Sequence, residues 1–240
     1  MKKTLLLIML LSIESIIAQV PSKVDDYPLN AMDLVLFTFG METPLSIGTI
    51  SASGVLDFKF PENLNFIADD VKANFMSDAA FTLFSKCNNS VDILSKDKNT
   101  KAINTGNISL SSKENPYAGL LIMVSDTIIV PWLESNGTAN AVLGSYFELV
   151  YVASDLNYDG ECTSTVTYIE NDPFETSYTY KLELKAGFNF IEYKIDSVKE
   201  QKVPSMYQEG LFDDVVKPSA ITVTSSQVVP PTLIWIGKYF

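Results

Sequence analysis

The sequence predicts an all-β chain: an antiparallel β-sandwich, or two β-modules, with at most one short helix. Three observations lead there. Apolar and polar residues alternate over many short stretches, as on half-buried strands. Gly, Asn, Asp and Ser fall between those stretches, where turns are needed. A single segment repeats its apolar residues at helical spacing. Many short strands with frequent turns favour a sandwich.

Taken in order, Leu34–Phe39 reads as the first strand. Ile47–Ser51 follows, joined through Ser53-Gly54 to Val55–Phe60, where Leu56, Phe58 and Phe60 share one face. Ile67, Val71, Phe75, Ala79 and Leu83 recur every four residues, with Asp69 and Asp70 in the first turn, which predicts a short helix over Asp69–Met76. Asn88–Thr105 is polar and reads as a long loop before a strand at Ile108–Ser111. Gly119–Val124 and Ile128–Trp132 form a hairpin through Ser125-Asp126. Tyr146–Ala153 and Cys162–Tyr168 form another through Asp155–Gly160. In Ser177–Lys185, Tyr178, Tyr180, Leu182 and Leu184 oppose Thr179, Lys181, Glu183 and Lys185. Lys185-Ala186-Gly187 turns into a strand carrying Ile191, Tyr193 and Ile195. Ser197–Ser219 reads as a second long loop, and Ile221–Ser225 and Leu233–Tyr239 complete the set.

The chain begins Met1-Lys2-Lys3, with an apolar run from Leu5 to Leu11 and a small residue at Ala18. That is the form of a cleaved secretory signal peptide, residues 1–18. Glu14 and the shortness of the run argue against a membrane anchor, which needs about 20 apolar residues. The expected destination is the periplasm, the cell surface or the outside of the cell. A boundary expected near Lys113–Pro116 divides the remainder into an N-terminal β-module, 19–114, and a C-terminal sandwich module, 115–240. Ala118–Leu133, the most apolar later stretch, is interrupted by Ser125-Asp126 and Pro131, so no transmembrane helix is expected in the mature chain.

Composition excludes more than it affirms. The net charge is −12, all 17 basic residues are Lys, and there is no His. Ser–His–Asp and Cys–His catalysis and His-ligated metals are excluded. Bidentate guanidinium recognition of phosphate is excluded as well. So acidic a chain is repelled by nucleic acid, which is therefore not an expected partner. Two cysteines, Cys87 and Cys162, lie 75 positions apart. An oxidising compartment favours a disulfide between them; two buried thiols in separate modules is the other reading.

Asp155-Leu156-Asn157-Tyr158-Asp159-Gly160 matches the start of a calcium loop, with oxygen side chains alternating before a glycine. Val166 stands where the loop needs a bidentate Glu, so Asn, Asp and Gly here read as turn formers and no metal is assigned. Asp25-Asp26, Asp69-Asp70 and Asp213-Asp214 are paired carboxylates of the type a glycosidase uses, but read as solvated charge. Trp132 and Trp235 suit stacking on sugar rings, yet both sit in apolar stretches and read as core or half-buried. The sequons at Asn88, Asn107 and Asn136 matter only in a glycosylating host and read as turn chemistry. Phe240 resembles the aromatic end of an outer-membrane barrel, but Gly119–Val124 is apolar on both faces, unlike a barrel strand.

Tyr151-Val152-Ala153-Ser154-Asp155 with Tyr158-Asp159-Gly160-Glu161-Cys162, followed by Leu182-Glu183-Leu184-Lys185-Ala186-Gly187-Phe188-Asn189, resembles a pattern of uncharacterised exported bacterial β-proteins. In that pattern a Y-x-x-x-D turn-Gly hairpin precedes an L-x-L-K-x-G-[WF]-N hairpin. Ile47-Gly48-Thr49 to Phe60-Pro61 is similar to their I-G-T…G-x-[LF]-x-[LF]-x-[LF]-P strand pair. The resemblance covers about half the chain, and its motifs are structural. It implies an exported all-β fold and brings no catalytic residue, cofactor or activity.

The functional expectation is a non-catalytic binding or structural module of the cell envelope, its partner a glycan or an envelope protein. A carboxylate-dependent glycan hydrolase is the alternative, and an outer-membrane barrel the lesser one.

Overall fold

The computed structural model describes residues 22–42, 44–93, 100–169, 172–205, 208 and 210–240. The signal-peptide reading of residues 1–18 lies outside them. Strands take 53% of the described residues and helices 11%, so the all-β class holds.

The N-terminal strands are β1 (Met32–Leu36), β2 (Leu45–Ile50), β3 (Leu56–Phe58), β4 (Ser77–Asp78), β5 (Lys101–Asn104) and β6 (Ile108–Ser111). Then come β7 (Gly119–Val124), β8 (Gly144–Val152), β9 (Leu156–Ile169), β10 (Asp172–Leu184), β11 (Gly187–Pro204), β12 (Phe212–Ser226) and β13 (Ile234–Tyr239). They join one sheet in the order β3-β2-β1-β6-β7-β8-β11-β12-β10-β9, with β13 on β7, β5 on β8 and β4 on β5. The sheet stays open, ending at β3 and β9, which corrects the barrel alternative. Lys113–Pro116 lies in the turn between β6 and β7, and the spans 19–114 and 115–240 both contribute strands to this sheet.

β7, β8 and the first half of β11 send buried side chains to both faces, so the sheet curls around two cores. Phe147, Leu149 and Tyr151 of β8 and Phe188 and Phe190 of β11 face one core, completed by β1, β2 and Trp235. Tyr146, Val150 and Val152, with Ile191, Tyr193 and Ile195, face the other, completed by β10 and β12. A strand buried on both faces needs apolar residues at nearly every position, which is why Tyr146–Val152 is almost continuously apolar.

The predicted helix is present as α1 (Asp69–Phe75), with Lys72 paired to Asp69 at 2.7 Å. Shorter helices, α2 (Ala79–Leu83), α3 (Ser90–Ile93) and α4 (Val130–Glu134), were not anticipated. Ser125-Asp126 opens a helical segment, which corrects the hairpin predicted there. The Asp126 carboxylate accepts from the Ile128 N–H at 3.0 Å, and Pro131 occupies the first turn of α4, where its missing N–H costs nothing.

The turn at Lys185-Ala186 also differs from expectation. It joins β10 to β11, but these strands do not pair, because β12 lies between them, parallel to β10 and antiparallel to β11. The sheet is therefore mixed at that point. Buried Asn189 holds the corner: its Oδ1 accepts from Lys185 N–H at 3.1 Å, and its Nδ2 donates to the carbonyls of Lys185 and Gly187. Asp155–Gly160 is not a hairpin turn either, since β9 begins at Leu156 and pairs with β10 from Leu156↔Leu184 onward. The stretch expected to be a loop at Ser197–Ser219 instead extends the β11–β12 ladder to Pro204↔Phe212, as an arm whose faces are largely solvated. Asn88–Thr105 contains α3 and β5.

Cys87 and Cys162 form a disulfide with Cα atoms 5.7 Å apart, tying the segment after α2 to β9. The Tyr180 hydroxyl donates to the Cys87 sulfur at 3.7 Å. Asn88 reinforces the link, its backbone N–H donating to the Thr163 carbonyl and its side-chain oxygen accepting from Thr165 N–H. Replacing both cysteines by Ala should lower the unfolding free energy by about 4 kcal/mol, read from urea denaturation, with the β-sheet circular dichroism retained. An unchanged midpoint would refute a stabilising bridge.

Burial also raises the phenol pKa values of Tyr146, Tyr180 and Tyr193, and pushes Tyr178 up to about 12. An unfolded chain releases such protons near pH ~10 and the folded chain later, so the unfolded state binds fewer protons in between. Stability from this cluster is complete below pH ~10 and is lost as pH rises through the folded values. Phenolate absorbance should show a delayed tyrosine class that collapses to ordinary titration on unfolding; titration of all tyrosines together in the native state would count against it.

Candidate functional site

β7 and β8 touch at one residue pair, Val124↔Tyr146. That junction is locked by Ser125 N–H donating to the Ser145 carbonyl and by Ser145 N–H donating to the Ser125 hydroxyl, both at 2.8 Å. Beyond it the strands part: β7 pairs with β6 and β13, while β8 pairs with β5 and β11. Between them lies a groove of about 820 Å³, within the size range of small-molecule sites. Leu120 and Ile122 of β7 and Tyr146 and Glu148 of β8 line it. β13 supplies Lys238, with Phe240 just after it, and Gly119 lets the strand lie close, because a Cβ there would sit 2.2 Å from the Lys238 carbonyl oxygen.

α4 and the turn after it add Trp132, Glu134 and Asn136 to the lining. The turn is built locally: the Ser135 hydroxyl donates to the Trp132 carbonyl and accepts from Ala139 N–H, and Gly137 takes the left-handed φ of 75°. Lys217, its pKa lowered by burial, donates to the Gly137 carbonyl at 2.6 Å and pins the turn. Gly137 packs on the half-buried Trp132 indole, whose Nε1–H is shielded and has no hydrogen-bond partner among the described residues.

The charges in the groove are engaged within the protein. Glu134 pairs with Lys238 at 2.6 Å. Glu148 accepts from the Asn104 side chain at 2.8 Å. Lys86, next to the disulfide, holds its ammonium 5.9 and 5.5 Å from the ring centroids of Tyr146 and Tyr193, which stack at 4.9 Å. Burial first, and then the Glu148 charge, keeps both of those hydroxyls protonated well above the ordinary phenol range.

The residues singled out in the sequence do not converge. Asp155 is bound by the Lys185 ammonium and the Ala186 N–H, both at 2.9 Å, and these hold its carboxyl below the usual range. Asn157 and Asp159 are exposed on an extended strand, about 7 Å apart along it. Asp25-Asp26 in a turn, Asp69-Asp70 on α1 and Asp213-Asp214 on β12 are in separate segments, and none of them lines the groove. Trp235 is in the first core at 3% exposure. Of the sequons, Asn88 is engaged with Thr165, whereas Asn107 and Asn136 line the groove.

Glu134 and Glu148 escaped the sequence reading, although Glu148 carried a signal. It is the single charge within Tyr146–Val152, on a face otherwise taken by Tyr146, Val150 and Val152.

Trp132→Phe removes the unpaired N–H while keeping an aromatic ring against Gly137. Thermal or urea unfolding should place it within about 1 kcal/mol of the parent, with Trp132→Ala about 2 kcal/mol below. Equal losses in the two variants would show that the indole nitrogen is paired in solution. Comparison of the chain with protein-family models, with curated proteins and with solved structures found no match.

Proposed function

We propose that the protein is an exported, non-catalytic binding module of the cell envelope that holds its ligand in the groove between β7 and β8. One observation carries the reading: the groove's ionised side chains are each committed to a partner inside the protein, around an aromatic wall. Such a surface is preorganised to hold a ligand, because its polar groups are already fixed in place. Both cysteines are consumed in the disulfide and the chain has no imidazole, so neither supplies a nucleophile or base. The signal-peptide reading and the disulfide agree with export.

A second reading rests on Glu134 and Glu148 lining one groove, as the carboxylates of a glycan hydrolase would. The surroundings favour it less. A general acid of that kind works from an apolar pocket, whereas Glu134 is exposed and ion-paired to Lys238.

Mature protein mixed with isolated cell envelopes should sediment with them. Retention should fall at least tenfold in Trp132→Ala and in Asn104→Ala, and no reducing ends should be released from envelope or plant polysaccharides. Retention unaffected by both variants would remove the groove from the function. Release of reducing ends that is abolished in Glu148→Gln would replace the binding reading with the hydrolase.

A further inference from the structure

The ligand class can be taken further, resting on the groove reading above. The ionised side chains of the groove sum to zero in a chain of net charge −12: Lys86 and Lys238 balance Glu134 and Glu148. A site for an anion would hold a spare cation free of other duty, but Lys238 is spent on Glu134 and Lys86 lies over two tyrosine rings. A site for a cation would carry an excess of carboxylates, but Glu134 is paired with Lys238, and Glu148 is matched in number by Lys86. The remaining polar side chains of the lining are three amides, Asn104, Asn107 and Asn136, and the largely buried phenol of Tyr146. Each carboxamide both donates and accepts, and so does each hydroxyl of a sugar. Beside these lies the half-buried ring of Trp132, a flat apolar wall for the C–H face of a pyranose.

We infer that the groove binds an uncharged oligosaccharide, with a sugar ring against Trp132 and its hydroxyls read by Asn104, Asn136 and Glu148. Glu148 is a positioning acceptor here: held by Asn104, it keeps further lone pairs for ligand hydroxyls. Lys86 contributes through the disulfide beside it, which fixes its backbone against β9.

The test is calorimetric titration of the intact mature protein with neutral tetrasaccharides (cello-, xylo-, manno- and malto-), with tetragalacturonate, and with tetralysine and tetraglutamate peptides. At least one neutral tetrasaccharide should bind saturably, with tetragalacturonate and both peptides at least tenfold weaker. Trp132→Ala and Glu148→Gln should each weaken binding at least tenfold, while Trp132→Phe should stay within threefold. Circular dichroism and melting temperature confirm that each variant is folded, and Asn136→Ala, on an exposed turn, supplies an independent groove variant. Binding of tetragalacturonate or a peptide alone, sensitive to Trp132→Ala, would overturn the neutral-glycan class while leaving the groove as the binding site. Neutral-sugar binding indifferent to Trp132, Glu148 and Asn136 would place the glycan elsewhere and overturn the inference. Failure of every neutral tetrasaccharide to bind would overturn it too, and envelope retention that still depends on the groove would then show that the binding reading survives.

Discussion

Residue pairs from Gly187↔Val152 to Ile195↔Gly144 join β8 to β11, and both faces of that ladder bury apolar side chains, with Glu148, Glu192 and Lys194 as its polar exceptions. A two-sided apolar ladder cannot sit at a surface, so the rest of the sheet has to wrap it on both sides. The strands N-terminal to β8 close one side, chiefly β1, β2 and β6. The strands C-terminal to it close the other, with β10 and β12 facing Ile191, Tyr193 and Ile195. Each fully buried Leu, Ile or Phe on either face contributes roughly 1.5–3 kcal/mol, so losing one side would remove more than the whole net stability of a domain.

The second wrap needs a chain reversal that leaves room for another strand, and Asn189 makes it possible. Its amide satisfies three backbone groups of the Lys185–Gly187 corner, which would otherwise be left without partners when β12 inserts between β10 and β11. The Leu-Lys-Ala-Gly-Phe-Asn run is thus a corner rather than a hairpin turn, and its Asn is as structural as its Gly. The disulfide acts on the same layer from outside. β9 is the last strand of the sheet, and Cys87 with Asn88 holds it along its free edge at Cys162–Thr165. An edge fastened in this way is protected from fraying and from pairing with another chain.

Much of this was legible where one face of a strand meets water. The alternation in Ser177–Lys185, the Ser53-Gly54 turn and the helix at Asp69 emerge as read, because period and turn chemistry agree with the tertiary fold. The misreadings have physical causes. Asn157, Asp159 and Gly160 are turn formers by local preference, but pairing with Glu183, Lys181 and Tyr180 holds them extended. The arm of β11 and β12 lies beyond both cores, so it lacks the apolar alternation by which strands are recognised. Ile128–Trp132 has the composition of a strand, while its true signals were the Asp126 cap and Pro131. The groove was the least legible part, since it is assembled from β5, β7, β8, β13, α4 and the segment before Cys87, and no local pattern records that convergence.

Glu148 is the residue for which packing alone gives no account. On its face of β8 it stands between Tyr146 and Val150, where an apolar side chain would complete the second core. A carboxylate there must keep contact with water or find donors, since an unpaired buried charge is prohibitive. Asn104 supplies one donor and the parting of β7 from β8 supplies the opening. Closing the sheet over this position would bury more apolar surface but strand the charge, so a carboxylate here and an open groove require each other. The fold gives up packing at this point, and in return it has a rigid, two-strand cleft whose polar groups are already oriented. That trade of stability for a preformed polar surface is the usual mark of a working site.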